Sequence, residues 1–177
     1  MRILWIAFAL CLALYGCGEQ PSAAQSEAIP AAENAAVPPA SGPHGNIFAA
    51  YEGLRAALAA DQEQGFADPA EELAMAAEQA SAEEGDSAKL NDLAAAARET
   101  AGAADLAAAR ESFSEVSRTL IEFVAANPEL SQGRFVYECP MVEGYGKWVQ
   151  LEEGVSNPYM GEAMLACGVK SDFSSSD

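Results

Sequence analysis

Cys139, Met141, Met160, Met164 and Cys167 gather within residues 137–168, in a chain otherwise rich in alanine, glutamate and short polar residues. Thiolate and thioether sulfurs are soft donors, matched to Cu(I) or Ag(I), which accept sulfur ligands in flexible geometry. Zinc is less well served, because two cysteines without a histidine leave its tetrahedron incomplete unless carboxylates such as Glu143 or Glu162 join. A second chemistry is open to the same cysteines. In an exported protein a pair commonly closes as a disulfide, and one joining 139 to 167 would contribute roughly 3 kcal/mol. Met141 and Met164 would then pack against Trp148 or Tyr159. The two chemistries can alternate: the disulfide is the resting state, reduction frees thiols for metal, and bound metal blocks reoxidation.

Catalysis has little support. His44 is the single histidine, and it lies in a proline-rich stretch, so a Ser-His-Asp arrangement and a di-iron Glu-x-x-His bundle both fail. No glycine-rich phosphate loop precedes a strong helix, and no neighbouring base would activate either cysteine. An enzyme is not expected.

The elements that must position the sulfurs follow from local pattern. "RFVYE" and "KWVQLE" are short, aromatic and β-branched, and flank "GYG", which predicts a hairpin carrying Cys139 and Met141. Asn157-Pro158 predicts a turn, and "YMGEAMLACG" a short helix ended by Gly168. In that helix Met160, Met164 and Cys167 stand at i, i+4 and i+7 and would share a face.

Before residue 128 the period is helical. Ile47, Tyr51, Leu54 and Leu58 mark one helix face. A second helix is predicted to start with Asp68 as N-cap, Pro69 and a capping-box Glu71, burying Leu73, Ala76, Ala77 and Ala80. A third, over residues 87–100, carries Leu90, Leu93 and Ala97 and breaks at Gly102. The fourth has Leu106, Phe113 and Leu120 in one row and Ala109, Val116 and Phe123 in the next, and stops at Asn127-Pro128. The expected fold is mainly α: an antiparallel four-helix bundle with a small C-terminal β-hairpin plus a short helix.

The first residues have another purpose. "MRILWIAFALCLALYGC" has one arginine, then an apolar run too short to span a bilayer but suited to a secretory signal. Leu14-Tyr15-Gly16-Cys17 resembles the lipobox of bacterial lipoproteins. That resemblance implies cleavage before Cys17 and acylation of it, with each buried methylene contributing about 0.8 kcal/mol to anchorage. Cys11 would be removed with the signal, leaving Cys139 and Cys167 as the available thiols. Gly18, where an aspartate usually marks inner-membrane retention, favours the outer membrane. The predicted divisions are a signal peptide over 1–16, a disordered Ala/Pro-rich tether over 17–45, the bundle over 46–127, a Cys/Met module packed on it over 128–170, and a disordered tail over 171–177.

With 27 acidic against 9 basic residues, the net charge of -18 argues against nucleic-acid binding, which needs cations to neutralise phosphates. It suits a well-solvated surface.

"VYECPM", the tryptophan-centred "KWVQ" and "NPYMGEAMLACG" together resemble the C-terminal signature of the family called domain of unknown function 3347. The resemblance extends over about residues 45–170, with the discriminating motif in the last part. Met160 stands where an aromatic is common, and Glu138 separates Tyr137 from Cys139. Members occur alone as exported proteins and as a tail on periplasmic adaptors of heavy-metal efflux pumps, which implies copper or silver handling. The expectation is therefore a lipid-anchored protein on the periplasmic face that binds Cu(I) or Ag(I) through Cys139, Met141, Met160, Met164 and Cys167, with an efflux or cuproprotein partner. The alternative is a disulfide-stapled envelope interaction module that binds no metal.

Overall fold

Alanine is the commonest residue in the four successive helices of a computed structural model that describes residues 42–85 and 87–174. The signal peptide, most of the tether and Cys17 lie outside the described residues. Helix α1 (Pro43–Ala59) starts on a proline, whose fixed φ suits a first helical turn. It begins inside the predicted tether, so His44 is a helical residue rather than a linker one. Its ring meets Phe123 edge-on at 5.5 Å and its Nε2 bonds Glu84. The predicted face is correct: Ile47, Tyr51, Leu54 and Leu58 are all buried.

Helix α2 (Ala67–Glu84) starts earlier than its capping pattern suggests. Phe66 occupies the N-cap position without a side-chain bond, and Asp68 lies in the first turn, where its charge favours the helix dipole instead. Leu73, Ala77 and Ala80 are buried, while Ala76 is only partly covered. Helix α3 (Ala88–Ala101) buries Leu90, Leu93 and Ala97 and is capped at Gly102. Helix α4 (Leu106–Ala126) is capped by Asp105, whose carboxylate accepts from the Ala108 N–H at 2.8 Å. Both predicted rows of α4 face inward, Leu106 only partly.

Each helix packs on the next, and small alanines let the backbones approach. Strand β2 (Lys147–Gln150) lies against α4, and through Tyr51 against α1. It pairs antiparallel with β1 (Phe135–Glu138), Tyr137 opposite Trp148, so the predicted hairpin forms. A third strand, β3 (Val169–Ser171), pairs antiparallel with the other side of β1. No sequence signal announced it. It carries ordered chain past residue 170, and Phe173 packs partly on the core, so the predicted tail is structured as far as Ser174.

The bundle and the C-terminal module share one core. Rings run from one to the other: Tyr51 to Phe113 at 5.5 Å, Phe113 to Tyr159 at 5.6 Å, Tyr159 to Trp148 at 6.1 Å and Trp148 to Tyr137 at 5.8 Å. Buried polar groups follow the same path and satisfy one another. The Ser117 hydroxyl bonds Tyr51 Oη at 2.8 Å and donates to the Lys147 carbonyl at 2.8 Å, which also accepts from Tyr159 Oη at 2.7 Å. Burial pushes the Tyr51 and Tyr159 phenols well above their ordinary values, so both remain neutral donors.

Candidate functional site

Two loops bring the cysteines together. Strand β1 runs into Cys139, whose backbone N–H donates to the Gly146 carbonyl at 3.0 Å and whose carbonyl accepts from the Val142 N–H at 3.2 Å. That tight loop leaves no room at Gly146, where a Cβ would stand 2.8 Å from the Cys139 carbonyl oxygen. The second loop, residues 156–168, is organised by Asn157, which is fully buried. Its Oδ1 accepts from the N–H groups of Tyr159 at 2.8 Å and Met160 at 3.1 Å, and its Nδ2 donates to the Cys167 carbonyl at 2.7 Å. Gly168 then passes directly over Trp148, since a Cβ there would lie 2.7 Å from the indole edge. Trp148 thus serves as a floor that positions Cys167.

The predicted helix over this loop needs correction. Asn157 closes one turn, with the Gly161 N–H on its carbonyl at 3.2 Å. Gly161 then turns left-handed with φ 56°, and a short 3-10 turn, Gly161–Met164, follows. The short helix is this 3-10 turn, capped at Leu165 rather than at Gly168, and the left-handed Gly161 keeps it from running as an α-helix from residue 158. Met160, Met164 and Cys167 therefore do not share an α-helical face.

The loop is clamped to the bundle by charges the sequence reading did not single out. Arg55, buried in α1, donates to the Ser156 carbonyl at 2.8 Å and hydroxyl at 3.0 Å. Arg110 in α4 donates to the Pro158 carbonyl at 2.9 Å and the Leu58 carbonyl at 2.7 Å, and pairs with Asp61. Asp61 in turn accepts from the Glu162 N–H at 3.1 Å. The Arg110 guanidinium and that N–H hold the Asp61 carboxyl below its ordinary value. Asp61 itself has φ 51°, which its short polar side chain tolerates. Gly161 must be glycine here, because a Cβ would collide with the Asp61 carboxylate and the Arg110 guanidinium.

The result is a sulfur contact: Cys139 Sγ and Cys167 Sγ are 2.9 Å apart, both as free thiols. Their surroundings differ. Cys139 is 1% exposed, and Cys167 is half-buried. Burial opposes ionisation of Cys139, but the Cys167 thiol, the N–H groups of Met141 and Val142 and the Asn157 amide all favour its thiolate, and together they bring it below its ordinary value. Cys167 is pushed up, first because its thiol bonds Cys139 and then by burial. A base beside the cysteine is absent from the sequence, and the activation comes first from the Cys167 thiol and then from amide N–H groups. Only Asn157 among these amides leaves a side-chain mark.

The methionines are less firmly placed. Met141 is 59% exposed, so it does not pack on Trp148 or Tyr159 as a core residue, while Met160 and Met164 are half-buried, Met160 against the core. Among the described residues, no group of three or more histidine, cysteine or carboxylate side chains is assembled to hold a metal ion. Glu143 and Glu162 are exposed. No helix among the described residues is long and apolar enough to cross a membrane.

No curated protein and no solved structure matches the chain. Residues 47–132 match the sequence profile of a family described as a protein of unknown function, DUF3347. The match covers most of α1, all of α2 to α4 and the turn after them, and stops before Cys139. Over that helical segment, the chain is similar to the DUF3347 family.

Proposed function

We propose that this is a lipid-anchored protein of the periplasmic face, in the outer membrane, that binds one Cu(I) or Ag(I) through Cys139 and Cys167 when they are reduced. The observation that supports it is the sulfur contact at 2.9 Å on a wall of amide N–H groups that favours thiolate at Cys139. Thiolates are the preferred donors of soft monovalent ions, and N–H groups directed at a ligand's sulfur stabilise its charge. The sulfurs must part to admit an ion, and Cys167, half-buried on its loop, is the more accessible of the two. Met141 follows Cys139 by two residues and is solvent-exposed, so its thioether is the available third donor; Met160 packs partly against the core, and Met164 is half-buried. Metal would be cargo, passed to an efflux or cuproprotein partner, and no catalytic role is proposed.

A second reading has its own support. At 2.9 Å the sulfurs are within about 1 Å of bonding distance, so oxidation closes them with little rearrangement. The closed form would be a stapled envelope module that binds no metal. Titration separates the two. Reduced, oxygen-free full-length chain in competition with a high-affinity Cu(I) chelator should take up one ion. Cys139→Ser and Cys167→Ser should each abolish that uptake, because a hydroxyl is a hard, protonated ligand. Loss of thermal stability in both serine variants, without Cu(I) uptake by the wild type, would leave the stapled module standing.

A further inference from the structure

We propose that the Cys139–Cys167 pair is a thiol–disulfide exchange site with a fixed polarity: an incoming thiolate attacks Cys167 Sγ, and Cys139 is the sulfur that leaves. The substrate class is a protein dithiol, or in reverse a protein disulfide. The site is the one that carries the metal reading, but the chemistry needs no metal, so either can fail alone.

Access sets the polarity. Cys139 is 1% exposed beneath the loop, while Cys167 is half-buried at the surface. The donors go to the buried sulfur: the N–H groups of Met141 and Val142 and the Asn157 amide bond Cys139, where the leaving charge collects. Preformed donors aimed at developing charge are the arrangement that lowers such barriers. Met141, Leu165 and Val169, all exposed, each stand two residues from one of the cysteines, and an apolar rim of that kind favours a protein over a small thiol as substrate.

The step balances. A partner's thiolate bonds to Cys167 Sγ as the Cys139–Cys167 bond breaks, its electron pair remaining on Cys139. The partner's second thiolate then attacks its own sulfur in the mixed disulfide, and Cys167 leaves as a thiolate and takes up a proton. Two electrons pass to this chain, and the partner departs as a disulfide. Run backwards, Cys167 attacks a partner's disulfide and Cys139 resolves the mixed species.

Glutathione is a sufficient probe. Oxidised full-length chain is treated with excess glutathione, quenched in acid and mapped by peptide mass spectrometry, which separates Cys11 and Cys17 from the pair. Glutathione should be found on Cys167 in roughly tenfold or greater excess over Cys139, with the helical circular dichroism unchanged. Where resolution outruns trapping, the single-cysteine variants decide. Cys139→Ser should form a mixed disulfide with oxidised glutathione roughly ten times faster than Cys167→Ser. Adducts on Cys139, an even distribution, the reverse ranking of the variants, or a pair that stays oxidised in folded protein would each overturn the proposal.

Discussion

Cys139 and Cys167 are alike in the sequence and different in the fold, and the difference is measurable. Two touching thiols titrate as a pair, so ultraviolet thiolate absorbance of the reduced protein should rise in two steps, one below and one above the ordinary value of 9.0. The lower step belongs to a group whose folded pKa is depressed. Its contribution to stability is therefore present above 9.0 and fades as pH falls through the folded value. A single step at 9.0 would mean that the N–H wall does not act on the sulfur. The methionines can be ranked in the same way. Met141→Leu should weaken Cu(I) affinity more than Met160→Leu, and each should keep the fold, since leucine is close in volume. Equal affinities in a chelator competition would remove Met141 from the ligand set. The sulfurs themselves were legible, because cysteine and methionine are rare enough to stand out. The asymmetry between them was not, since it comes from what the fold places around each sulfur: unequal burial, the bond between the two thiols, and the N–H groups of Met141, Val142 and Asn157.

At the scale of elements, the helix faces were legible and the clamps were not. A 3.6-residue period survives in Ile47, Tyr51, Leu54 and Leu58 because burial selects for it. Arg55 reaches Ser156, and Arg110 reaches Asp61 and Pro158, across long stretches of chain, and three of the bonds go to backbone carbonyls, which no pattern encodes. The short helix expected after Asn157-Pro158 is present as the 3-10 turn Gly161–Met164, but the face expected of Met160, Met164 and Cys167 failed for a related reason. Nothing local marks Gly161 as a turning point, yet it turns left-handed against the Asp61–Arg110 pair. Gly161→Ala should therefore cost more than the usual 1 kcal/mol or so for a lost left-handed glycine, as chemical denaturation would show. Wild-type stability in that variant would contradict the clamp. Acid should also loosen it. The Asp61 carboxyl titrates below 3.8 in the fold, so its contribution is full above that value and lost as pH falls through the lowered one. Phe113 lies fully buried between the rings of Tyr51 and Tyr159, and joins the bundle to the module. Phe113→Ala should cost about 3 kcal/mol or more. A thermal melt superposable on the wild type would place that face elsewhere.

For the whole molecule, the bundle and the cysteine module stand or fall together, since one aromatic row and one polar network cross between them. The mainly helical class was legible from periodicity and from proline placement. The third strand was not, because three residues, two of them exposed, carry no alternation to read. The family match rests on the helices, while the sulfur chemistry rests on the residues after them. The lipid anchor is a separate matter, with its own test: Cys17→Ala should abolish labelling by a palmitate analogue, and equal labelling of variant and wild type would remove the anchor. The claim that the reduced cysteine pair is a soft-metal site is tested most directly by counting thiols as metal is added. Reduced, oxygen-free chain should lose the alkylation of both Cys139 and Cys167 together at one equivalent of Cu(I), as mapped peptide by peptide. Full alkylation of both cysteines in the presence of excess Cu(I) would contradict it.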